Sequence, residues 1–257
     1  MDIETERRGP IGILTLNRPE ARNALTSAML VRFEEAVVDF DQDHTIRCII
    51  VTGADPAFCA GLDLKDLANT YHGIGAPSPS AKITLRGLEV VRSTPMIGAI
   101  NGAAVTGGLE LALGCDFLIG SHRASFADTH ARVGVMPAGG MTIRLPQLIG
   151  INRARQMSLT GAFVDAGTAA EWGLLNEVVP HGILMERCLE VAGQIAETDP
   201  SAIAELRSFY DDLGTPSTAE DYRTEARRSR AWMAAAFDEA AFAERRQGII
   251  ERGSSQQ

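Results

Sequence analysis

The chain has 257 residues and a mass of 27.5 kDa; 45% of its residues are hydrophobic and 22% are charged. This composition is typical of a soluble globular protein and excludes wholesale disorder, a collagen and a coiled coil. With 24 Lys and Arg against 33 Asp and Glu, the net charge of −9 disfavours contact with a phosphate backbone. We therefore expect no nucleic-acid partner.

The N-terminal segment MDIETERRGP is charged and has no apolar h-region, and no run of 18 apolar residues occurs that predicts a membrane span. The four cysteines lie in apolar runs without CxxC spacing, which indicates buried thiols in a reducing compartment. His122 and His130, with Cys115 or Asp116, do not have the spacing of a zinc site. We expect a cytoplasmic protein without a metal.

The first part of the chain predicts strands and one helix. Residues 2–17 have the pattern of a β-hairpin that turns at Gly9-Pro10. Thr26 is placed to cap a helix, and the apolar run at 46–51 predicts a buried strand. Residues 68–82 are rich in Gly, Pro and Ser and are expected to form a mobile loop.

Strand and helix patterns continue to about residue 180, with strands MIGAI, AAV, FLIG and LLNEVVP, a helix from Gly107 and a helix capped by Asp165. Beyond residue 182 nearly every apolar pattern has helical spacing. The order predicts an α/β core over residues 1–195 and a helical C-terminal region over 196–257. By analogy with other terminal helical modules, this region is expected to pack on neighbouring subunits. Arg227, Arg228 and Arg230 are flanked by acidic residues and are expected to lie on a solvated helix face.

Three segments carry candidate chemistry. Small residues in FCAGLDL, at 58–64, let the backbone approach a ligand closely, although an ordinary strand-to-helix turn has the same pattern. Gly107-Gly108 opens an apolar helix, and its N–H groups suit a developing oxyanion. Glu110 follows in the first turn, where it is either satisfied by the helix N-terminus or acts as an acid/base group with a shifted pKa. His130 in FADTHARVG is either structural or a group that titrates near neutral pH.

Other chemistries fit the sequence poorly. No GK[ST] follows the glycines at 107–108 and the dinucleotide-binding spacing is absent, which excludes a P-loop and a Rossmann fingerprint. A Ser–His–Asp hydrolase using Ser121 or Ser125 lacks the GxSxG elbow.

Taken together, five segments resemble the crotonase superfamily, also called the enoyl-CoA hydratase/isomerase family. They are LNRPEARNALT (16–26), VTGADPAFCAGLDLKDL (51–67), INGAAVTGGLELALGCDFLI (100–119), ASFADTHARVGVMPAGG (124–140) and INRARQMSLTGAFVDAGTAAEWGLLNEVVP (151–180). The resemblance spans nearly the whole chain. It implies an α/β fold, namely a crotonase-like spiral of repeated β-β-α units with a helical C-terminal trimerisation region, and assembly as a trimer or a dimer of trimers.

The resemblance also implies an acyl-CoA substrate and no separate cofactor, because coenzyme A is part of the substrate. The thioester oxygen is expected between the backbone N–H groups of Leu62 and Gly107, and residues 68–82 are expected to shape the acyl pocket. Hydratases of this family use two glutamates; Glu110 falls on the first position and His130 on the second. Asp128 is a nearby carboxylate that could substitute at the second position, but two residues along a turn it is expected to point elsewhere. The substrate- and coenzyme-binding positions implied by the same match are Arg22, Ala24, Ala60, Asp63, Leu64, Lys65 and Gly108. Of these, Arg22 and Lys65 are suited to contact phosphate.

The leading hypothesis is a lyase that adds water to a 2-enoyl-CoA through a stabilised enolate, in fatty-acid or acyl-CoA metabolism. Glu110 is expected to act as the base and His130 as the second acid/base group. The alternatives are isomerisation, decarboxylation or thioester hydrolysis on the same fold, and a non-catalytic acyl-CoA binder. Family isomerases with a single catalytic Glu generally keep the second position, whereas this chain keeps the first, which argues against that subtype.

Overall fold

The computed structural model describes residues 1–66, 85–86, 88–210, 219–236 and 244. The loop expected at 68–82 lies outside these described residues. Within these ranges, every helix is too short or too polar to span a lipid bilayer. The four cysteines all fall in the described part, where they are buried and form no disulfide, as predicted.

Twelve short strands form in the described residues, most of them in one of two sheets. They are β1 Ile3–Arg8, β2 Ile11–Leu16, β3 Cys48–Gly53, β4 Ala57–Cys59, β5 Leu85–Arg86, β6 Glu89–Val90, β7 Met96–Ile100, β8 Ala103–Val105, β9 Phe117–Ser121, β10 Ser125–Ala127, β11 Val164–Asp165 and β12 Glu177–Val179. The predicted hairpin is confirmed, since β1 and β2 pair antiparallel around Gly9, whose φ is +60°. Strand β3 is buried along its whole length, as its continuous apolar run predicts.

The described residues form α-helices after Thr26, Gly107 and Asp165 and beyond residue 182, as predicted, and further ones between residues 130 and 160. They are α1 Ser27–Gln42, α2 Gly107–Leu113, α3 His130–Val133, α4 Met141–Ile149, α5 Ile151–Thr160, α6 Ala166–Glu171, α7 Leu184–Ala196, α8 Pro200–Phe209 and α9 Ala219–Ala236. Two predicted caps are confirmed: Thr26 accepts a hydrogen bond from the Met29 N–H, and Asp165 accepts one from the Thr168 N–H.

The strands form a spiral. The larger sheet has the order β1-β2-β3-β7-β9-β12, and the smaller has the order β11-β10-β8-β4. The successive pairs β3–β4, β7–β8 and β9–β10 each place one strand in each sheet, and helices α2 and α3 follow the second and third pairs. Neighbouring strands from successive turns pair in parallel. The predicted spiral of β-β-α units is therefore confirmed.

Two apolar cores hold these layers together. The main core includes the fully buried Phe33, Phe58 and Phe126. A second core lies between the larger sheet and α7, where Ile50 and Cys188 are fully buried. Burial of each large side chain contributes about 1.5–3 kcal/mol. The ends of the strands that carry the candidate site are consequently held in a tightly packed frame.

The C-terminal helices are tied to this frame by charge. Arg207 on α8 donates hydrogen bonds to Asp116 at 2.7 Å and Glu89 at 3.1 Å, and both carboxylates also pair with the buried Arg92. On α9 the three arginines 227, 228 and 230 are exposed, as expected for a solvated face. The domain boundary at 195/196 stays a prediction.

Candidate active site

Two segments far apart in sequence run side by side at the site. The Leu25 N–H donates to the Gly61 carbonyl at 2.8 Å, and the Asp63 N–H donates to the Leu25 carbonyl at 2.8 Å. The Ala60 N–H donates to the Arg22 carbonyl at 3.0 Å. The structure therefore brings together the two segments that the sequence assigned to coenzyme A.

The backbone amides of Leu62 and Gly107 lie close together, and each follows a residue in an unusual backbone conformation. Each follows a residue with positive φ, which is +104° at Gly61 and +54° at Thr106. A Cβ atom added to Gly107 would lie 3.5 Å from the Leu62 nitrogen, so the two amides are close. Among the described residues, neither N–H donates a hydrogen bond to a backbone carbonyl.

Thr106 holds the strained turn before Gly107. A positive φ is costly for a β-branched residue and persists only where its surroundings enforce it. The Thr106 N–H donates to the Ala127 carbonyl at 2.8 Å, and its hydroxyl lies 2.6 Å from the hydroxyl of Thr129. These contacts set the conformation from which the Gly107 N–H projects.

Gly108 lies where the start of α2 touches β4. A Cβ at this position would be 2.2 Å from the Cys59 carbonyl oxygen, which only glycine avoids. The glycine pair therefore has two functions: position 107 lies beside the Leu62 amide, and position 108 permits the helix to approach the strand.

Glu110 is a buried carboxylate, and among the described residues only one of its two oxygens accepts hydrogen bonds. The residue is 1% exposed, and Oε1 accepts hydrogen bonds from the N–H groups of Gly139 at 2.8 Å and Met141 at 3.3 Å. Oε2 is buried and has no hydrogen-bond partner among the described residues. Burial raises the pKa of Glu110 to about 7, against the opposing charge of His130 and with the help of the negative Glu225. Such a group exchanges protons near neutral pH.

His130 faces this carboxylate. Its Nδ1 lies 2.6 Å from Oδ1 of Asp128, and its Nε2 lies 3.8 Å from Oε2 of Glu110. Burial alone would lower the pKa of His130, but the hydrogen bond that its Nδ1–H donates to Asp128 and the charge of Glu110 outweigh this effect and raise the pKa. Asp128 is itself buried, yet its hydrogen bond to His130 keeps the pKa of its carboxyl low. The three side chains form an Asp–His–Glu row.

The predicted coenzyme-binding residues have different environments. The carboxylate of Asp63 binds the guanidinium of Arg18 at 3.1 Å and accepts the Lys65 N–H at 2.9 Å. Arg18 also donates to the Ala24 carbonyl at 2.7 Å. Lys65 and Arg22 are exposed, whereas Leu64 is partly buried. Asp63 and Ala24 therefore help to hold the paired segments, and contact with coenzyme A at these positions stays a prediction.

Two contacts at the site were missed by sequence reasoning. Asp128, expected to point elsewhere, binds the imidazole of His130. Glu225 is 8% exposed and accepts the N–H groups of Gly140 and Thr142, at 2.7 and 2.9 Å. Helical spacing was an available signal for Glu225, because it shares a face of α9 with the buried residues Tyr222, Ala226, Ser229 and Met233.

The arrangement combines two functions at one place. A pair of N–H donors can stabilise a negative oxygen that develops during a reaction. A carboxylate and an imidazole that face each other can transfer protons on the reacting carbons. These groups are suited to a reaction that passes through an enolate intermediate.

Comparison with known proteins agrees with this geometry. A family model described as enoyl-CoA hydratase/isomerase matches residues 6–253. A probable peroxisomal enoyl-CoA hydratase of Arabidopsis thaliana is 37% identical, over 85% of this chain and 83% of the relative. A carnitinyl-CoA dehydratase of Salmonella typhi is 36% identical, over 86% and 84% of the two chains.

A crystal structure of an enoyl-CoA hydratase from Mycobacterium avium superposes with a TM-score of 0.82 at 43% identity, over 91% of this chain and 98% of that one. The family model covers nearly the whole sequence, and the site segments and both sheets, apart from the first residues of β1, lie inside the match. The chain belongs to the enoyl-CoA hydratase/isomerase family.

Proposed function

We propose that this protein is an enoyl-CoA hydratase, which adds water across the double bond of a 2-enoyl-CoA thioester. The observation that carries the proposal is the buried Oε2 of Glu110, which has no hydrogen-bond partner among the described residues and lies 3.8 Å from Nε2 of His130. This pair offers a base and an acid beside the two N–H donors. Relatives named enoyl-CoA hydratases and carnitinyl-CoA dehydratases support a reaction that adds or removes water.

In the proposed reaction, the carboxylate of Glu110 takes a proton from water as the water oxygen bonds to the β-carbon. The electron pair of the double bond moves towards the carbonyl, and the N–H groups of Leu62 and Gly107 hold the enolate oxygen. Loss of one such donor typically costs about 3–4 kcal/mol of transition-state stabilisation. The protonated imidazole of His130 then gives its Nε2 proton to the α-carbon, and the carbonyl forms again.

The product is a 3-hydroxyacyl thioester, and it leaves Glu110 protonated and His130 neutral. Transfer of the proton from Oε2 of Glu110 to Nε2 of His130 restores the starting state. Asp128 favours this return because its negative charge stabilises the imidazolium. No other cofactor is needed for the step, since every atom comes from water and the thioester.

We also propose the finer assignments that the family suggests. Arg22 and Lys65 contact the phosphates of coenzyme A, and Ala24, Ala60 and Leu64 line its path. The protein assembles as a trimer or a dimer of trimers through its C-terminal helical region, and it acts in the cytoplasm on fatty-acid or related acyl thioesters. Sedimentation of the purified protein measures its assembly, and a species of one subunit contradicts it.

The test follows the conjugated-enoyl absorbance of crotonyl-CoA and of a longer 2-enoyl-CoA, with product mass as a second readout. The wild type is expected to consume absorbance and to form a product heavier by one water. Glu110→Gln and His130→Ala are each expected to lower kcat by about 10²–10⁴-fold. Glu186→Gln, an exposed carboxylate on α7, is the matched control and is expected to keep full activity. A wild type that binds the thioester without hydrating it contradicts the proposal and favours another enolate reaction or a non-catalytic binder.

A further inference from the structure

The turn before α4 is shared by two carboxylates. The N–H groups of Gly139 and Met141 donate to Oε1 of Glu110, and those of Gly140 and Thr142 donate to the carboxylate of Glu225. Four consecutive N–H groups thus alternate between a carboxylate in the spiral core and one on α9. Glu225 also accepts a hydrogen bond from the Thr142 hydroxyl.

Glycine makes this shared turn sterically possible. A Cβ at Gly139 would lie 2.6 Å from Oε2 of Glu110, and a Cβ at Gly140 would lie 3.0 Å from the ring of Tyr222 on α9. Gly140 has a φ of +103°, a conformation that side chains rarely adopt. The turn therefore lies tightly between Glu110 on one side and α9 on the other.

Further contacts dock α9 over the same region. The Ser229 hydroxyl donates to the Met136 carbonyl at 3.1 Å. Met233 packs with Val133 and Val135, which follow His130 in the chain, and with Leu64. The position of Glu225 is consequently set by helix packing on both sides of the turn.

We propose that Glu225 is a positioning residue, which fixes the turn at 139–142 and through it the carboxylate of Glu110. The inference rests on the proposed role of Glu110 and deepens it. Glu225 is not placed to touch the thioester in this proposal; it acts through the N–H groups of Gly140 and Thr142 and through its own negative charge. Such a contact links the docking of α9 to the position and the protonation of the Glu110 carboxylate.

The electrostatic consequence has a definite sign. The pKa of Glu110 responds to the charges of His130, Glu225 and Asp128. The nearby cation Arg144, on α4, donates hydrogen bonds to Glu89 and to the Tyr222 hydroxyl. A second negative charge nearby favours the protonated form of Glu110. Removing the charge of Glu225 should therefore lower the pKa of Glu110.

The decisive experiment measures the protonation of Glu110 directly in the full-length, ligand-free protein. Infrared spectra recorded across pH follow the protonated carboxyl band, which is assigned by its disappearance in Glu110→Gln. In Glu225→Gln the midpoint is expected to fall by at least ~0.5 pH unit. Glu220→Gln removes the same charge from an exposed site on α9 and is expected to leave the midpoint unchanged.

Kinetics provide a second readout. Because the turn holds the catalytic carboxylate, Glu225→Gln should lower kcat by ~10-fold and change KM less than ~2-fold. Glu225→Asp keeps the charge and is expected to restore the infrared midpoint towards the wild-type value. Thermal unfolding of each variant verifies that the fold is retained.

An unchanged midpoint for the titration of Glu110 in Glu225→Gln overturns the inference. So does a shift of the same size in Glu220→Gln. A midpoint in Glu225→Asp as low as that in Glu225→Gln also overturns it. If the wild type hydrates no enoyl thioester, the proposed function fails, and the infrared titration still decides the positioning role.

Discussion

Nε2 of His130 lies 3.8 Å from Oε2 of Glu110, and both side chains are almost fully buried. The distance is too long for a direct hydrogen bond and short enough for both groups to contact one small reactant. Burial raises the pKa of Glu110 to about 7, and the hydrogen bond to Asp128 and the charge of Glu110 raise the pKa of His130. The two groups therefore titrate as a pair, and the pH dependence of the reaction reports on the pair.

The first prediction concerns Asp128. With Glu110 as base and His130 as acid, kcat/KM should rise as Glu110 loses its proton, near pH 7, and fall at higher pH as His130 loses its own. Asp128→Asn removes the charge that raises the pKa of His130, so the alkaline limb should move to lower pH and kcat/KM should fall by about 10-fold or more.

The measurement is a kcat/KM profile for crotonyl-CoA from pH 5 to 10. Asp39→Asn, at an exposed position on α1, is the matched control. An alkaline limb at the same pH in Asp128→Asn and the wild type would show that His130 is not the acid.

The second prediction separates the two glycines at the start of α2. Gly107 does not have a positive φ, so alanine fits its backbone, but the methyl group would lie 3.5 Å from the Leu62 nitrogen and partly fill the space for the enolate oxygen. Gly107→Ala should lower kcat by about 10²–10³-fold and leave the melting temperature close to that of the wild type.

Gly108→Ala is the matched comparison, and its main effect should be on stability and not on kcat. Its methyl group would meet the Cys59 carbonyl oxygen at 2.2 Å, which overpacks the contact between α2 and β4. The free energy of unfolding should fall by about 1–3 kcal/mol. Steady-state kinetics and thermal unfolding of both variants measure the contrast; a fully active Gly107→Ala contradicts the assignment of its N–H.

Local patterns predicted most of the fold. The hairpin at Gly9, the cap at Thr26 and the buried strand β3 each depend on a few neighbouring residues, so a single sequence is enough to predict them. The spiral depends on which strands pair across long separations. It was predicted from the resemblance, because periodicity alone gives no strand order.

The sequence named Glu110 and His130 as candidate site residues but did not predict the contacts around them. The Glu225–Gly140 contact joins residues 85 positions apart and depends on how α9 docks. Asp128 was misjudged for a different reason. The turn from β10 into α3 bends the chain so that its carboxylate meets the ring two residues later, and spacing alone does not show that bend.

The last prediction is a stability cost at the buried carboxylate of Glu110. The folded state raises the pKa of Glu110 from 4.5 to about 7, so between these values the folded protein binds more protons than the unfolded chain. The contribution of Glu110 to the free energy of unfolding is therefore fully present below about pH 4.5 and is lost as the pH rises through 7.

Glu110→Gln removes the ionisation and should unfold with a free energy higher than that of the wild type by about 1–3 kcal/mol at pH 8. At pH 5 the difference should be small. Urea unfolding at both pH values measures it, with Glu35→Gln on the exposed face of α1 as the control; a wild type as stable as Glu110→Gln at pH 8 would show that the buried carboxylate is not strained by ionisation.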